Sequence, residues 1–273
     1  MSETVGIIAG ESILPLLSCR EARRRGVRTI VAAVKGLAQP GLAAEADEWA
    51  EFSIGQLGGV IRFFKRHGVS RALMIGRVQH ASIFSLWTAD AKFLRFMARV
   101  KDRTTTSLLA ALADFFAGEG IEILDSTTFL NEHLVQARNY TPRLRLTKAL
   151  ASDIEFAWEK AWGIAGLDIG QTVCVRGRAV VAVEAMEGTD RAIARAGKIA
   201  GPGLVVAKVS RPAGDMRFDV PVVGAGTMAM LEECRAAAFV LEAGRTLMLD
   251  GEEMAARASR GKMILMGKSC ASE

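Results

Sequence analysis

The sequence predicts an α/β protein of two domains, the first built on a parallel sheet and the second on a mixed sheet. Its 273 residues exceed one average domain. Short runs rich in Val, Ile and Ala alternate with amphipathic segments, which is typical of strands followed by helices. Aromatic residues make up only 6%, and the abundant small aliphatic residues suit helices packed closely on a Val/Ile-rich sheet.

The first half predicts a doubly wound, Rossmann-like sheet in a domain that spans residues 1–132. Strands are expected at 5–9, 29–34, 71–75 and 121–124, with helices at 13–24, 57–67, 84–100 and 107–117. Pro15 falls in the first turn of its helix, where the missing amide hydrogen has no helical partner to lose. The polar stretch 139–143 lacks hydrophobic periodicity, and we interpret it as the linker.

The second half, residues 133–273, predicts a mixed α/β domain with at least one antiparallel pair. That pair is a hairpin of strands 172–176 and 179–185 around Gly177. Further strands are expected at 204–208, 239–241, 246–249 and 263–266, with helices at 147–162, 190–200 and 227–237.

Composition and charge restrict the class of partner and the compartment. The net charge of +5 fits an anionic substrate or an acidic membrane surface, while scattered basic residues and scarce aromatics argue against nucleic-acid binding. The four cysteines show no CxxC spacing, and no secretory signal precedes the first strand. No apolar run reaches the roughly 20 residues that a membrane-spanning helix needs. We therefore expect a cytoplasmic protein.

Glycine-bearing loops follow two strands of the first domain and are expected at the carboxyl edge of its sheet. Gly10, Glu11 and Ser12 lead into a helix, and free amide hydrogens at such a junction favour anions. Gly76 and Arg77 follow a later strand, and Arg77 suits either a phosphate or a surface salt bridge. Because the first loop is neither GxGxxG nor a Walker loop, a tight turn that needs glycine for backbone reasons is an equal alternative.

A second-domain segment that contains two aspartates is the main candidate for the reaction. Asp215, Arg217 and Asp219 alternate with apolar residues, so an extended segment would present all three on one face. Such a face suits a divalent cation held by Asp215 and Asp219, with Arg217 steadying a phosphate. The alternative is an ion-pair ladder on an edge strand.

Two further acids flank a glycine turn in the same half. Glu187 and Asp190 are additional candidate metal ligands, or simply acids enriched at the start of a helix, with Thr189 as its N-cap. The isolated histidines give no zinc spacing, and the sequence has no GxSxG motif. The chemistry of carboxylates and a hard cation therefore remains the best supported.

The segment 242–246 predicts a strand, a turn and a second strand. Its residues Glu242, Gly244, Arg245 and Thr246 line the same cleft or form an ordinary turn. Lys208, at the end of strand 204–208, is a further candidate for substrate contact.

Six motifs together resemble the UDP-2,3-diacylglucosamine pyrophosphatase family of lipid A synthesis, the type that carries no metallophosphoesterase motif. They are GIIAG at 6–10, GQL at 55–57, LDIGQT at 167–172, VEAMEGTD at 183–190, DMRFDVP at 215–221 and EAGRT at 242–246. The resemblance spans nearly the whole chain and adds Gln171, Thr172, Glu184 and Thr189 to the expected substrate contacts.

The resemblance implies a magnesium-dependent hydrolysis of UDP-2,3-diacylglucosamine to UMP and 2,3-diacylglucosamine 1-phosphate. Water is expected to attack the phosphorus on the sugar side, with the substrate reached from the cytoplasm. Peripheral contact with the inner membrane surface and a homodimer stay open. The sequence departs from the family pattern at Glu11-Ser12, where two glycines are usual, and at Lys101-Asp102-Arg103, where Lys-Asp-Asp is usual.

Two other classes of function remain alternatives at this stage. A nucleotide-binding regulatory protein without catalysis would account for Arg103 at a position where the family usually has an acid. A dinucleotide oxidoreductase is disfavoured because the sequence has no GxGxxG and no ribose-binding acid after the second strand.

Overall fold

The chain divides into two compact units in a computed structural model that describes residues 3–78, 89–100, 105–212 and 214–270. Unit 1 comprises Met1–Leu130 with Met216–Phe218, and unit 2 comprises Asn131–Asp215 with Asp219–Glu273. The chain therefore passes from unit 2 into unit 1 for the three residues 216–218 and then returns to unit 2.

Unit 1 contains the parallel sheet that the alternating pattern predicts. Its strands run in the order β3-β2-β1-β4-β5, and every pair is parallel. The strands are β1 Thr4–Ala9, β2 Arg28–Val34, β3 Glu48–Phe52, β4 Arg71–Ile75 and β5 Glu122–Ile123. The strand β3 is not predicted because acids and a tryptophan interrupt its apolar pattern.

Helices cover both faces of this sheet. They are α1 Leu14–Arg24, α2 Leu42–Glu45, α3 Leu57–Arg66, α4 Ala91–Arg99 and α5 Thr105–Gly118. One buried cluster joins α1 and α2 to the sheet, and another joins α3, α4 and α5 to its other face. The helices α1 and α3 each bury one apolar stripe, as the 3.6-residue periodicity requires. The first part of the predicted helix 84–100 lies outside the described residues.

Unit 2 contains a mixed sheet in the order β12-β10-β8-β6-β7 and a two-stranded ribbon, β11-β9. Its strands are β6 Thr172–Arg176, β7 Ala179–Val183, β8 Val205–Lys208, β9 Val222–Val223, β10 Ala238–Glu242, β11 Leu247–Met248 and β12 Ile264–Lys268. Its helices are α6 Lys148–Gly166, α7 Thr189–Ala200, α8 Ala225–Glu233 and α9 Gly251–Arg260. The predicted hairpin is confirmed as the antiparallel pair β6–β7.

Strand direction brings several strand ends of unit 2 to one edge of the sheet. The strands β8, β10 and β12 are mutually parallel, whereas β6 is antiparallel to both β8 and β7. The carboxyl ends of β7, β8, β10 and β12 and the start of β6 therefore lie at the same edge. Two buried clusters, one on each face, hold the sheet between α7, α8 and α9 on one side and α6 on the other.

The segment interpreted as a linker, 139–143, belongs to unit 2 instead. Asn139 bridges Met266 of β12, and the amide of Tyr140 donates to the Leu265 carbonyl at 2.8 Å. The Thr141 hydroxyl is buried and accepts from the Leu265 amide at 3.0 Å. The prediction fails because these polar groups pair with an edge strand, so they need no hydrophobic periodicity to be ordered.

None of the helices in the described ranges is long and apolar enough to cross a lipid bilayer.

Candidate functional site

Polar residues converge at the carboxyl edge of the unit 2 sheet, which we call the second-sheet edge and define by residues 171, 172, 184, 208 and 242. Gln171 precedes β6 and Thr172 begins it, Glu184 follows β7, and Lys208 and Glu242 end β8 and β10. All five are predicted substrate contacts. Ligands of open α/β sheets commonly bind at this edge.

Lys208 is the centre of a buried hydrogen-bond network. Its ammonium donates to the Thr189 hydroxyl at 2.8 Å and to the Thr172 hydroxyl at 3.3 Å. The Thr189 hydroxyl in turn donates to Glu184 Oε1 at 2.9 Å. Glu184 Oε2 lies 3.7 Å from the ammonium, which is ion-pair range but too long for a hydrogen bond. The network therefore joins β6, β8 and the start of α7.

Burial gives Lys208 an unusual electrostatic environment. Only 4% of its side chain is exposed, and 12% of that of Glu184. Burial lowers the pKa of Lys208 because the charged form loses its hydration, while the nearby carboxylate of Glu184 opposes the shift. Burying a charge in this way costs free energy, and buried charges of this kind are found where they form ion pairs within the fold or bind a ligand.

Buried polar atoms without a hydrogen-bond partner concentrate at and beside this edge. Among the described residues they include Gln171 Nε2, Glu184 Oε2, Ser210 Oγ, Arg245 Nε and Thr246 Oγ1. Two further such atoms, on Ser18 and Trp162, lie elsewhere. Buried polar groups in folded proteins are nearly always paired, so a cluster of unpaired ones indicates a place where water or a ligand completes the bonding.

A second set of contacts surrounds the loop 209–215, which we call the Asp215 loop. Glu242, 2% exposed, accepts from the Ser210 amide at 2.6 Å. Arg245 donates to the Gly214 carbonyl at 2.8 Å, and its Nε lies 3.8 Å from Glu242 Oε1. The two side chains that follow or end β10 thus reach two backbone positions of this loop.

The segment with the two aspartates is a turn, so the prediction of an extended strand is wrong. The Asp219 amide donates to the Asp215 carbonyl at 2.8 Å, which closes a turn of five residues. Met216 and Phe218 take part in unit 1, where the Met216 carbonyl accepts from Ser126 and Phe218 packs against the core. Because alternate residues are anchored within one turn, their spacing does not have the two-residue period of a strand.

Arg211 is an ion-pair partner that sequence reasoning missed. Its guanidinium NH1 contacts both carboxylate oxygens of Asp219, at 3.2 and 3.0 Å, and its Nε donates to Asp168. Arg217, the arginine expected to steady a phosphate, lies over the Phe218 ring at 5.3 Å. Arg211 and Asp219 are too far apart in sequence for an alternation pattern to pair them.

The acids near the start of α7 have other partners. Glu187 pairs with Arg195 at 2.6 Å, which lowers the pKa of its carboxyl. Asp190 accepts from the Thr227 hydroxyl at 2.7 Å, which links α7 to α8. Thr189 is the first helical residue rather than the N-cap, which is Gly188. The N-cap prediction fails because the Thr189 hydroxyl is engaged by Glu184 and Lys208.

The expected cage of four carboxylates does not assemble in the part of the chain that the structure describes. No three His, Cys, Asp or Glu residues there come together as a metal site. Two of the expected ligands, Glu187 and Asp219, are ion-paired with arginines instead. The departure at Lys101-Asp102-Arg103 lies outside the described residues.

The glycine loops of unit 1 bind each other through their backbones. The Gly10 amide donates to the Ile75 carbonyl at 2.8 Å, and Glu11 and Arg77 exchange two backbone bonds at 2.9 and 2.8 Å. The amide hydrogens of Gly10 and Glu11 are therefore engaged, and the expectation that they are free to bind a phosphate is wrong. The Ser12 hydroxyl accepts from the Leu14 amide at 3.2 Å.

Close approach explains the two glycines of these loops. A Cβ on Gly10 would lie 2.8 Å from the Arg77 carbonyl oxygen, and one on Gly76 would lie 2.6 Å from the Gly10 carbonyl carbon. Gly76 also has a φ of +102°, which disfavours other residues. The alternative of a turn that needs glycine for backbone reasons is therefore the better account of Gly10. The side chains of Glu11 and Arg77 are exposed.

Asp90 is a second residue that sequence reasoning missed. Its Oδ2 accepts from the amides of Gly58 and Gly59 at 2.7 and 3.2 Å, at the start of α3. Its Oδ1 accepts from the Phe93 amide at 2.9 Å and caps α4. One carboxylate thus satisfies two helix starts, and an Asp before an apolar run was the available signal.

Comparison with known proteins covers nearly the whole chain. The family pattern described as the LpxI N-terminal domain matches residues 4–133, and that described as the LpxI C-terminal domain matches residues 139–266. A curated protein of Caulobacter vibrioides named UDP-2,3-diacylglucosamine pyrophosphatase LpxI is 29% identical over an alignment of 279 residues that covers 96% of this chain and 96% of that protein. The second-sheet edge and the Asp215 loop both lie inside the region matched by the C-terminal pattern.

Proposed function

The chain belongs to the LpxI family, whose two domain patterns match residues 4–133 and 139–266. On that premise, we propose that it hydrolyses UDP-2,3-diacylglucosamine. The products are UMP and 2,3-diacylglucosamine 1-phosphate, and the reaction is a step of lipid A synthesis. The name of the Caulobacter relative supports this substrate.

The observation that carries the proposal is the cluster of unpaired buried polar atoms at the second-sheet edge. Gln171 Nε2, Ser210 Oγ and Thr246 Oγ1 are donors that have no acceptor among the described residues. A diphosphate offers many acceptor oxygens, and bonds to such anionic oxygens are stronger than those between neutral groups. The neighbouring ammonium of Lys208 adds a positive charge to the same edge. Together these groups suit a phosphorylated ligand.

Asp215 is the carboxylate that we assign to the attacking water. Asp219, which is ion-paired with Arg211, is proposed to support the reaction by holding the turn. A carboxylate within hydrogen-bond reach of a water can orient it and accept its proton as the oxygen attacks phosphorus. The attacked phosphorus is the one on the sugar side of the diphosphate. Its bond to the oxygen that bridges to UMP then breaks, so that UMP leaves and the phosphate stays on the sugar. Arg217 remains a predicted contact for the phosphate.

Magnesium remains a prediction that rests on the family resemblance. A cage of three or more acids is not found among the described residues, but Mg²⁺ is commonly held by one or two carboxylates together with substrate phosphates. Asp215 with the substrate oxygens fits that smaller set. When bound, the ion would neutralise negative charge on the diphosphate. Chelation with EDTA should abolish UMP release, and added Mg²⁺ should restore it.

The remaining predicted contacts and partners are proposals of the same kind. Glu11, Ser12 and Arg77 are proposed for the uridine end through their side chains, whereas Gly10 and Gly76 are proposed to act only by allowing the two loops to approach each other. A cytoplasmic location is proposed, while membrane-surface contact and a homodimer stay open.

The test is an assay of UMP release from purified protein and UDP-2,3-diacylglucosamine, with product masses determined by mass spectrometry. We expect UMP and the sugar 1-phosphate in equal amounts. Tight substrate binding without UMP release, at any Mg²⁺ concentration, would favour the non-catalytic regulatory alternative and contradict the proposal.

A further inference from the structure

We propose that Arg245 and Glu242 are positioning residues that orient Asp215, rather than residues that contact the substrate. The inference rests on the proposed hydrolysis, and it assigns these two side chains a role different from the substrate contact that the sequence predicts. Its basis is the pair of contacts that they make with the Asp215 loop.

Both peptide units that flank the Asp215 Cα are fixed by a hydrogen bond. The Gly214 carbonyl, which shares a peptide plane with the Asp215 amide, accepts from Arg245 at 2.8 Å. The Asp215 carbonyl, in the next plane, accepts from the Asp219 amide at 2.8 Å. Peptide planes are rigid, so two fixed planes leave little freedom for φ and ψ of the residue between them. Those two angles set the direction in which the Asp215 side chain leaves the backbone.

Glu242 holds this arrangement to the centre of the sheet. It ends β10, which lies between β8 and β12. Its Oε2 accepts from the Ser210 amide at 2.6 Å, four residues before Gly214, and its Oε1 lies 3.8 Å from Arg245 Nε. The carboxylate therefore fixes the start of the loop directly and biases the arginine toward the end of the loop.

The described residues of the loop also contact one another between these two points. The Gly214 amide donates to the Arg211 carbonyl at 2.8 Å, and Arg211 in turn binds Asp219. A Cβ on Gly214 would lie 2.8 Å from the Arg211 carbonyl oxygen and 3.4 Å from Asp219 Oδ2. A shift of Gly214 would therefore also displace Arg211 and, through it, Asp219.

The alternative of direct substrate contact makes a different kinetic prediction. An arginine that binds the substrate equally in the ground state and the transition state raises KM when it is lost, with kcat little changed. An arginine that only aims the Asp215 carboxylate lowers kcat and leaves KM and substrate affinity near their original values.

The experiment compares Arg245→Gln, Arg245→Lys and Glu242→Gln with wild type. Arg257→Gln is the matched control because Arg257 also makes a two-point side-chain contact, with Glu232, in a different part of unit 2. Steady-state UMP release gives kcat and KM, and hydrogen–deuterium exchange reports on peptides that cover 209–219. Thermal unfolding identifies any variant that fails to fold.

We expect Arg245→Gln to lower kcat by at least tenfold with KM within about twofold, and to speed amide exchange at 211–219 but not in β8. Arg245→Lys, which keeps a donor and a charge, should lose less, and Arg257→Gln should match wild type in both measurements. Unchanged exchange at 211–219, or a loss confined to KM, would overturn the positioning role. A wild-type protein that releases no UMP would refute the proposed function. The exchange result would still show whether Arg245 and Glu242 hold the Asp215 loop.

Discussion

The two sheets present carboxyl edges of opposite chemical character. In unit 1 the loops after β1 and β4 are joined by backbone hydrogen bonds, and glycines permit their close approach. In unit 2 the corresponding edge carries a buried ammonium, two buried or nearly buried carboxylates and several unpaired polar atoms. Among the described residues, the first edge has its Gly10, Glu11 and Arg77 amides bonded within the protein, whereas the second has buried polar atoms that no protein group pairs.

This difference shows that glycine-rich loops after strands are not sufficient to mark an anion site. The amides of Gly10 and Glu11 face carbonyl oxygens, so they are no more available than amides within a strand. Unpaired donors and an incompletely paired charge are the stronger indication of a ligand, because leaving them unsatisfied has a cost that a ligand can remove.

The largest expected effect that would test the comparison is the loss of the Asp215 carboxylate. Asp215→Asn should lower kcat by roughly 10²–10⁴-fold, the range typical of a general base, because the amide cannot accept the proton of the attacking water. UMP release and circular dichroism measure rate and fold. The exposed acid Glu253 provides the control, and Glu253→Gln should keep wild-type activity. Near-normal activity of Asp215→Asn would remove the aspartate from the reaction.

The next effect concerns the stability of the second-sheet edge. Lys208→Met removes one partner of a buried charge pair, and breaking such a pair costs about 3–5 kcal/mol because the remaining charge is left uncompensated. Denaturant unfolding at pH 7 measures the difference. Lys160→Met, at a half-exposed ion pair, should change stability little. Equal stability of the two variants would show that Lys208 is not the centre of the network.

Lys208 also predicts how stability depends on pH. Its pKa is lowered in the folded state from an ordinary value of 10.5, so between the two values the unfolded chain binds more protons than the folded chain. The contribution of this group to stability therefore rises with pH through that window and is lost as pH falls through the folded pKa. The free energy of unfolding of Lys208→Met should lack this rise, and an identical alkaline profile in both proteins would contradict the shift.

At the edge of unit 1 the expected effects are structural. Gly10→Ala places a Cβ 2.8 Å from a carbonyl oxygen of the neighbouring loop and should cost about 1–3 kcal/mol of stability through overpacking. At a temperature where the variant stays folded, its kcat should remain within about twofold of wild type, because the engaged Gly10 amide makes no contact with the reacting phosphate. A loss of kcat without a loss of stability would restore the predicted phosphate loop.

The smallest expected effect is at Asp90, which caps the starts of α3 and α4. Asp90→Ala should destabilise the protein by about 1–2 kcal/mol because three amide hydrogens lose their acceptor. Asp90→Asn keeps an acceptor oxygen and should lose less. Thermal unfolding of the two variants distinguishes them, and equal melting temperatures for Asp90→Ala and wild type would show that water replaces the cap.

Much of the fold follows from local sequence pattern. Strands such as 71–75 and the hairpin around Gly177 have an apolar period and a turn signal that need no information from the rest of the chain. The strand β3 and the helix α9 lack such a pattern, since one contains interspersed acids and the other is mostly polar with only two buried residues. Both depend on packing against neighbouring elements, with β3 paired to β2 and α9 packed against α8 and β12.

The sequence predicted which residues belong to the site but not which residues pair with one another. The structure places Gln171, Thr172, Glu184, Lys208 and Glu242 at one edge, where the start of β6 meets the ends of the oppositely directed strands β7, β8 and β10. The contacts of the neighbouring Asp215 loop could not be predicted, because Arg211 binds Asp168 across 43 positions and Arg245 reaches Gly214 across 31. Pairings of this length depend on the packed fold. Asp219 and Glu187 were expected to be metal ligands, although each pairs with an arginine eight positions away, at a spacing that matches no local pattern.

The most direct test of the central claim is a crystal structure of Asp215→Asn with UDP-2,3-diacylglucosamine bound. The account predicts the diphosphate at the second-sheet edge, within hydrogen-bond distance of at least two of Gln171, Ser210 and Thr246. A diphosphate bound instead by the backbone of Gly10 and Glu11, with those three side chains still unpaired, would contradict it.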